Sequence, residues 1–304
     1  MKISAKRIQA LTGHQAAVYA VSQGTQPATI ITAGSDRNIV EWDLHGIKPP
    51  RIIAHSAGVV YSLLALPNEP ILLIGNNQGG IHVVDLAQKA EVKYLLAHTI
   101  GVFDLLFIPS KNEVIASGAD GNLTVWSTSD FHCKGELKIS NLKIRKLALS
   151  PDESKLALAC SDKKIRILDT SNFQTITEIE DHNDAVNAVT FSPDSLYLLI
   201  GTKDAHLKVR SATDFELLQN IPAHNYAIYG IDYNRDGSLF ATASRDKTIK
   251  IWDANSFEIL HRFDATKNEG HKNSVNAIHW NKETDILASV SDDQSVMLWR
   301  ADAD

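Results

Sequence analysis

Residues 224–253 read HNYAIYGIDYNRDGSLFATASRDKTIKIWD, and the alternation within this stretch decides the fold. After the opening histidine comes an apolar run, IYGIDY, and then a polar turn, NRDG. A second apolar run, LFATA, meets another turn, RDKT, and a third run ends at Trp252-Asp253. Runs this short, bounded by turn residues, are strands rather than helices, and a nearly continuous apolar run such as LFATA reads as a strand buried on both faces. A fourth and more polar run, FEILHRF, follows.

The same order recurs along the chain. EWD at residues 41–43, VWS at 125–127 and LWR at 298–300 stand where IWD stands at 251–253, and such self-similarity marks a repeat architecture. On that frame Trp42, Val84, Trp126, Leu168, Arg210, Trp252 and Trp299 share one phase, spaced by 42 residues except for a last step of 47. The additional residues fall in DATKNEGH, which leads to His271. Units open near residues 14, 55, 98, 140, 182, 224 and 271, on His14, His55, His98, Ser140, His182, His224 and His271. TIITA, ILLIG, VIASG, LALAC, YLLIG, LFATA and ILASV are their second runs. Four short strands make a small sheet with two apolar faces, and such sheets must stack on neighbours. The expectation is an all-β, seven-bladed β-propeller with four antiparallel strands per blade, a single domain over residues 1–304. Only RADAD follows Trp299, so the seventh unit lacks a fourth strand. Residues 1–11, which include ISAKRIQAL, are expected to supply it, closing the ring and covering a raw sheet edge.

Composition narrows the function classes. Hydrophobic residues make up 44% and charged residues 22%, as in an ordinary globular protein. A net charge of -6 argues against a nucleic-acid binder, whose phosphate contacts need a basic face. The two cysteines, Cys133 and Cys160, have no metal-ligand spacing and suit a reducing compartment. The N-terminus lacks the continuous apolar core of a secretory signal, and no apolar run has the length of a membrane span. A cytoplasmic chain is expected, without membrane, metal or cofactor.

The Trp-Asp pairs at 42–43 and 252–253, the Gly-His at 13–14 and the period itself resemble the WD-repeat, Gβ-like propeller family over the whole chain. The resemblance implies a buried set of His, Ser or Thr, Asp and Trp in each blade. His14, Thr32, Asp36 and Trp42 match it, as do His224, Thr242, Asp246 and Trp252, and His271, Ser289, Asp293 and Trp299. Blade 3 has His98, Asp120 and Trp126 but Ala116 in the hydroxyl place. Blade 5 keeps His182 and Asp204, blade 4 only Asp162, and blade 2 only His55, with Gln78 in the Asp place. Blades 2, 4 and 5 are therefore the expected soft spots. The first repeat opens by residue 14, so the N-terminal helix of a G-protein β subunit proper is not expected.

His271, Ser289 and Asp293 have the ingredients of a hydrolase triad. The same set recurs in blades 1 and 6 in step with a Trp, whereas a catalytic site would occur once, so the structural reading prevails and no catalytic residue is assigned. No GxSxG, phosphate loop or HExxH is present. His45, His82, His132, His206, His261 and His279 fall on different phases without metal-ligand pairing. Gly79-Gly80, Asp120-Gly121 and Asp236-Gly237 read as hairpin turns.

Two features rise above the scaffold. The resemblance places the second residue of each innermost strand at the mouth of the central channel: Tyr19, Tyr61, Phe103, Arg145, Asn187, Tyr229 and Asn276. Aromatic and arginine side chains are enriched where proteins bind partners; the alternative is that the rings plug the channel, with Arg145 stacked on Phe103. The second feature is charge. Residues 134–166 hold nine basic and four acidic residues, a local +5 that leaves -11 elsewhere. Lys143, Lys146, Lys163 and Lys164 are the candidates for a basic docking face. The expected function is a non-catalytic scaffold, monomeric alone, that presents its top face and channel mouth to a protein or peptide. The alternative is an enzyme or small-molecule binder at that mouth.

Overall fold

The computed structural model describes residues 3–267 and 270–303, so Asn268 and Glu269 of the DATKNEGH insertion and residues 1 and 2 of the expected closing strand lie outside the described residues. Seven four-stranded antiparallel sheets succeed one another along the chain, and the innermost strand of each packs on that of its neighbours, around the ring and from blade 7 back to blade 1. These innermost strands are Val18–Gln23, Val60–Ala65, Val102–Ile108, Ile144–Leu149, Val186–Phe191, Ile228–Tyr233 and Val275–Asn281. Two single turns of 3-10 helix, Pro109–Lys111 and Ala265–Lys267, were not expected from the sequence. The first begins at a proline, whose fixed φ suits a helical first turn.

Burial explains the period. The second strands Glu113–Gly118, Leu239–Ser244 and Ile286–Ser291 are buried at every residue, because each lies mid-sheet with a neighbouring blade against both faces. The core is accordingly divided into layers between blades. In one, Leu199, Leu207 and Val209 of blade 5 meet Ile228, Phe240 and Trp252 of blade 6. The phase residues without an indole, Val84, Leu168 and Arg210, are buried as well.

Ring closure uses both ends of the chain. The strand Ile3–Leu11 pairs antiparallel with the last strand, Val296–Ala303, with Ile3 opposite Ala303 and Leu11 opposite Val296. Blade 7 is thereby completed by the N-terminal strand. Asn276 and Asn281 then tie it to blade 1, donating from Nδ2 to the carbonyls of Val18 (2.9 Å) and Pro27 (2.8 Å).

Candidate functional site

In every blade the pairing of the first strand with the second slips by one residue at the same place, and the extra residue is the second of the innermost strand. Tyr19, Tyr61, Phe103, Arg145, Asn187, Tyr229 and Asn276 are these bulged residues. A bulge leaves one residue out of the ladder and re-aims its side chain. The preceding residue, Val18, Val60, Val102 or Ile228 among them, stays fully buried between blades. All seven bulged residues line one channel of about 790 Å³. Six are half-buried, while Asn187 is buried and its Nδ2 finds no hydrogen-bond partner.

The bulged side chains of blades 1–4 form a continuous arc. The Tyr19 and Tyr61 rings stand 5.7 Å apart and Tyr61 stacks on Phe103 at 5.4 Å. The Arg145 guanidinium lies 5.5 Å from the Phe103 centroid, and Lys143 Nζ lies at the same distance. Cations so placed are attracted to the ring face. Arg145 Nε also donates to Ser161 Oγ at 3.3 Å. Tyr229, on blade 6, lies two blades beyond the end of the arc. Asn276 is committed to structure, accepting from Ser274 and donating to Asp292 and Val18.

Within the blades lie the buried polar sets. In blade 6 the Trp252 indole N–H donates to Thr242 Oγ1 (2.9 Å), that hydroxyl meets His224 Nε2 (2.7 Å), and His224 Nδ1 meets Asp246 (2.9 Å). Asp246 also accepts from the amides of Asn225 and Thr248. Blade 1 repeats the arrangement with Trp42, Thr32, His14 and Asp36, and blade 7 with Trp299, Ser289, His271 and Asp293. Burial would raise the Asp246 and Asp293 carboxyls. The histidine, hydroxyl and amide donors outweigh it and hold both well below the usual carboxylate range. Burial likewise lowers His224, against the pull of Asp246.

The sequence model of the family described as "WD domain, G-beta repeat" matches residues 5–43, 215–253 and 262–300, each ending one residue past the Trp of a complete set. The "Anaphase-promoting complex subunit 4 WD40 domain" model matches residues 102–194. The chain is a WD-repeat β-propeller.

Curated relatives include the WD repeat-containing protein 3 homolog of Dictyostelium discoideum, 25% identical over 45% of this chain, and the Ribosome biogenesis protein BOP1 of Mus musculus, 30% identical over 35%. The matches span 14% and 17% of those two proteins' lengths. The WD40 β-propeller domain of Doa1 superposes with a TM-score of 0.85 at 18% identity, covering 97% of this chain and 96% of that one.

The other WD-repeat blades improvise. In blade 3, His98 reaches Asp120 (3.0 Å), but Ala116 leaves His98 Nε2 unpartnered, and Trp126 donates instead to Thr124 two residues back. Gly118 makes room for that His–Asp pair, since a Cβ there would lie 2.3 Å from His98 Nδ1 and 2.4 Å from Asp120 Oδ1. In blade 4, Ser140 takes the histidine's place and donates to Asp162 (2.9 Å), which Arg166 grips with both terminal nitrogens.

Two sequence assignments need correction. His55 is exposed at the end of its strand, and the buried residue in phase is Ser56, whose Oγ accepts the Gly58 amide; Asn76, not Gln78, holds the blade 2 turn. In blade 5, His182 and Asp204 do not bond each other. Asp204 accepts from Thr202, while both ring nitrogens of buried His182 lack hydrogen bonds. Burial first, then Lys208, push His182 down to about 4.

Of the four basic candidates on blade 4, two are held by carboxylates. Lys146 pairs with Asp104 of blade 3 (2.8 Å), and Lys164 is held by Glu178 and Glu180. Lys143 and Lys163 remain exposed. They are joined by a cation that sequence reasoning missed, Arg245 on the blade 6 turn, which lines the channel with Arg145. Its signal was its place immediately before the set aspartate, as Lys203 precedes Asp204.

Proposed function

We propose that this propeller is a non-catalytic scaffold that receives a protein or peptide at its channel mouth. The observation that carries the reading is the half-exposed arc Tyr19–Tyr61–Phe103–Arg145, raised on bulges along the channel. Rings with polar tips and an arginine, pre-positioned by backbone, are the chemistry of interface anchors.

The enzyme alternative finds less support. The channel carboxylates are engaged: Asp104 with Lys146 and the Leu147 amide, Asp232 with the Trp280 amide and Lys282, Asp292 with Asn276. Ser289 of the triad-like set is fully buried and already accepts the Trp299 indole, so no substrate reaches it. Both cysteines are free, and burial pushes the Cys160 thiol up to about 12, which suits the proposed reducing, cytoplasmic setting.

The test is a pull-down from native extract with wild type and with Tyr61→Ala, Phe103→Ala. Removing the stacked pair is expected to cost at least about 2 kcal/mol in partner binding, with only a small change in melting temperature. An undiminished set of captured proteins contradicts the proposal, and a retained small molecule favours the alternative.

A further inference from the structure

The charge at the mouth says what kind of partner fits. Arg145 and Arg245 line the channel from blades 4 and 6, and Lys143 stands over Phe103 beside them. None of the three has an ion-pair partner among the described residues. The lining carboxylates do not offset them, because Asp104 and Asp232 are paired with Lys146 and Lys282, and only Asp292 remains, on blade 7.

A second observation points the same way. The turn between second and third strands places one residue of every blade in the left-handed region, with φ between 64 and 90°. Blades 2 and 3 fill it with Gly79 and Gly121, which adopt it freely, and blades 5 and 7 with Ala205 and Gln294, whereas blades 1, 4 and 6 hold exposed Arg37 (φ 64°), Lys163 (φ 71°) and Lys247 (φ 73°) there. Side chains disfavoured by the backbone thus add cations outside the two arginines. In a chain of net charge -6, Lys143, Arg145, Lys163, Arg245 and Lys247 thus concentrate positive charge on blades 4 and 6.

We infer that the partner presents an acidic peptide segment to this mouth. Its carboxylates sit between Arg145 and Arg245, where guanidinium forks bind carboxylates in bidentate geometry, and a neighbouring side chain packs on the Tyr61–Phe103 stack. The inference rests on the mouth being the binding site and adds the charge of what binds.

The experiment separates the two. A random dodecapeptide library is selected on the immobilised full chain, and the best peptide is titrated against wild type, Arg145→Gln, Arg245→Gln and Tyr61→Ala, Phe103→Ala, each checked by a melting curve. Enrichment of Asp and Glu, a loss of about tenfold for each arginine change, and weakening with salt are expected. Basic or uncharged peptides that still need the rings overturn the acidic partner and leave the mouth reading intact. Peptides indifferent to rings and arginines alike overturn both. A single-stranded oligonucleotide or anionic lipid vesicle that outcompetes the best peptide at the mouth also overturns the acidic peptide.

Discussion

Blades 5 and 6 share an apolar layer and solve the same polar problem in opposite ways. Blade 6 runs a chain of bonds from Trp252 through Thr242 and His224 to Asp246 and its turn amides. Blade 5 has Ile200 in the hydroxyl place and Arg210 in the indole place, and its histidine is left without hydrogen bonds. Arg210 and Lys208, both buried, reach out instead to Asp181 at the rim. The contrast extends around the ring: complete sets occupy blades 6, 7 and 1, the stretch containing the seam where the two chain ends pair, and improvised ones occupy blades 2 to 5. Fold identity is therefore held by the apolar layers and the period, and the polar set is an addition that individual blades can replace.

The largest effect is expected at the seam. Deleting residues 1–10 removes most of the strand Ile3–Leu11 and bares the edge of blade 7, which should favour aggregation and lower the melting temperature. Size-exclusion chromatography decides it; a monomer with unchanged melting would mean that the closing strand is dispensable.

Next comes the pair of aspartates. Asp246→Ala strands His224, Thr248 and two amides and should destabilise by roughly 2–4 kcal/mol, whereas Asp204→Ala, bonded chiefly to Thr202, should cost less. Chemical denaturation that finds equal losses would dissolve the distinction between blades.

The smallest effect is the most specific. His182→Phe removes a buried group without hydrogen bonds and should change stability by less than about 1 kcal/mol at neutral pH. Its folded pKa is depressed to about 4, so the unfolded chain takes up the proton first as pH falls below 6.5. Stability contributed by neutral His182 is thus full above that value and lost on the way down to about 4. The variant should show a shallower decline over that window, and an identical slope would place the titration elsewhere.

Much of this was legible in the sequence. The period of 42 residues exposes the blades even where no Trp marks them, and the seven mouth residues share one phase. What escaped were pairings across strands. Lys146 and Asp104 lie one period apart and meet only because adjacent blades abut. Lys164 reaches Glu178 on the next strand but one and Glu180 just past its end, beyond a register shift between Ile167 and Leu168. Each such slip inverts the parity of every residue after it, so alternation cannot tell which charges face one another. His55 opens its unit only by residue type, since a step of 42 from His14 falls on Ser56.

The central claim is that binding and stability reside in different side chains, the bulged residues of the channel and the buried polar sets of blades 6, 7 and 1. It is tested most directly by titrating the partner captured in the pull-down against His271→Ala, which breaks the blade 7 set away from the channel, and against Tyr61→Ala, Phe103→Ala, at a temperature where both are folded. The account predicts that His271→Ala loses roughly 2–4 kcal/mol of stability and binds normally, while the ring variant keeps its stability and loses at least about 2 kcal/mol of binding. Parallel losses of both quantities in both variants would contradict it.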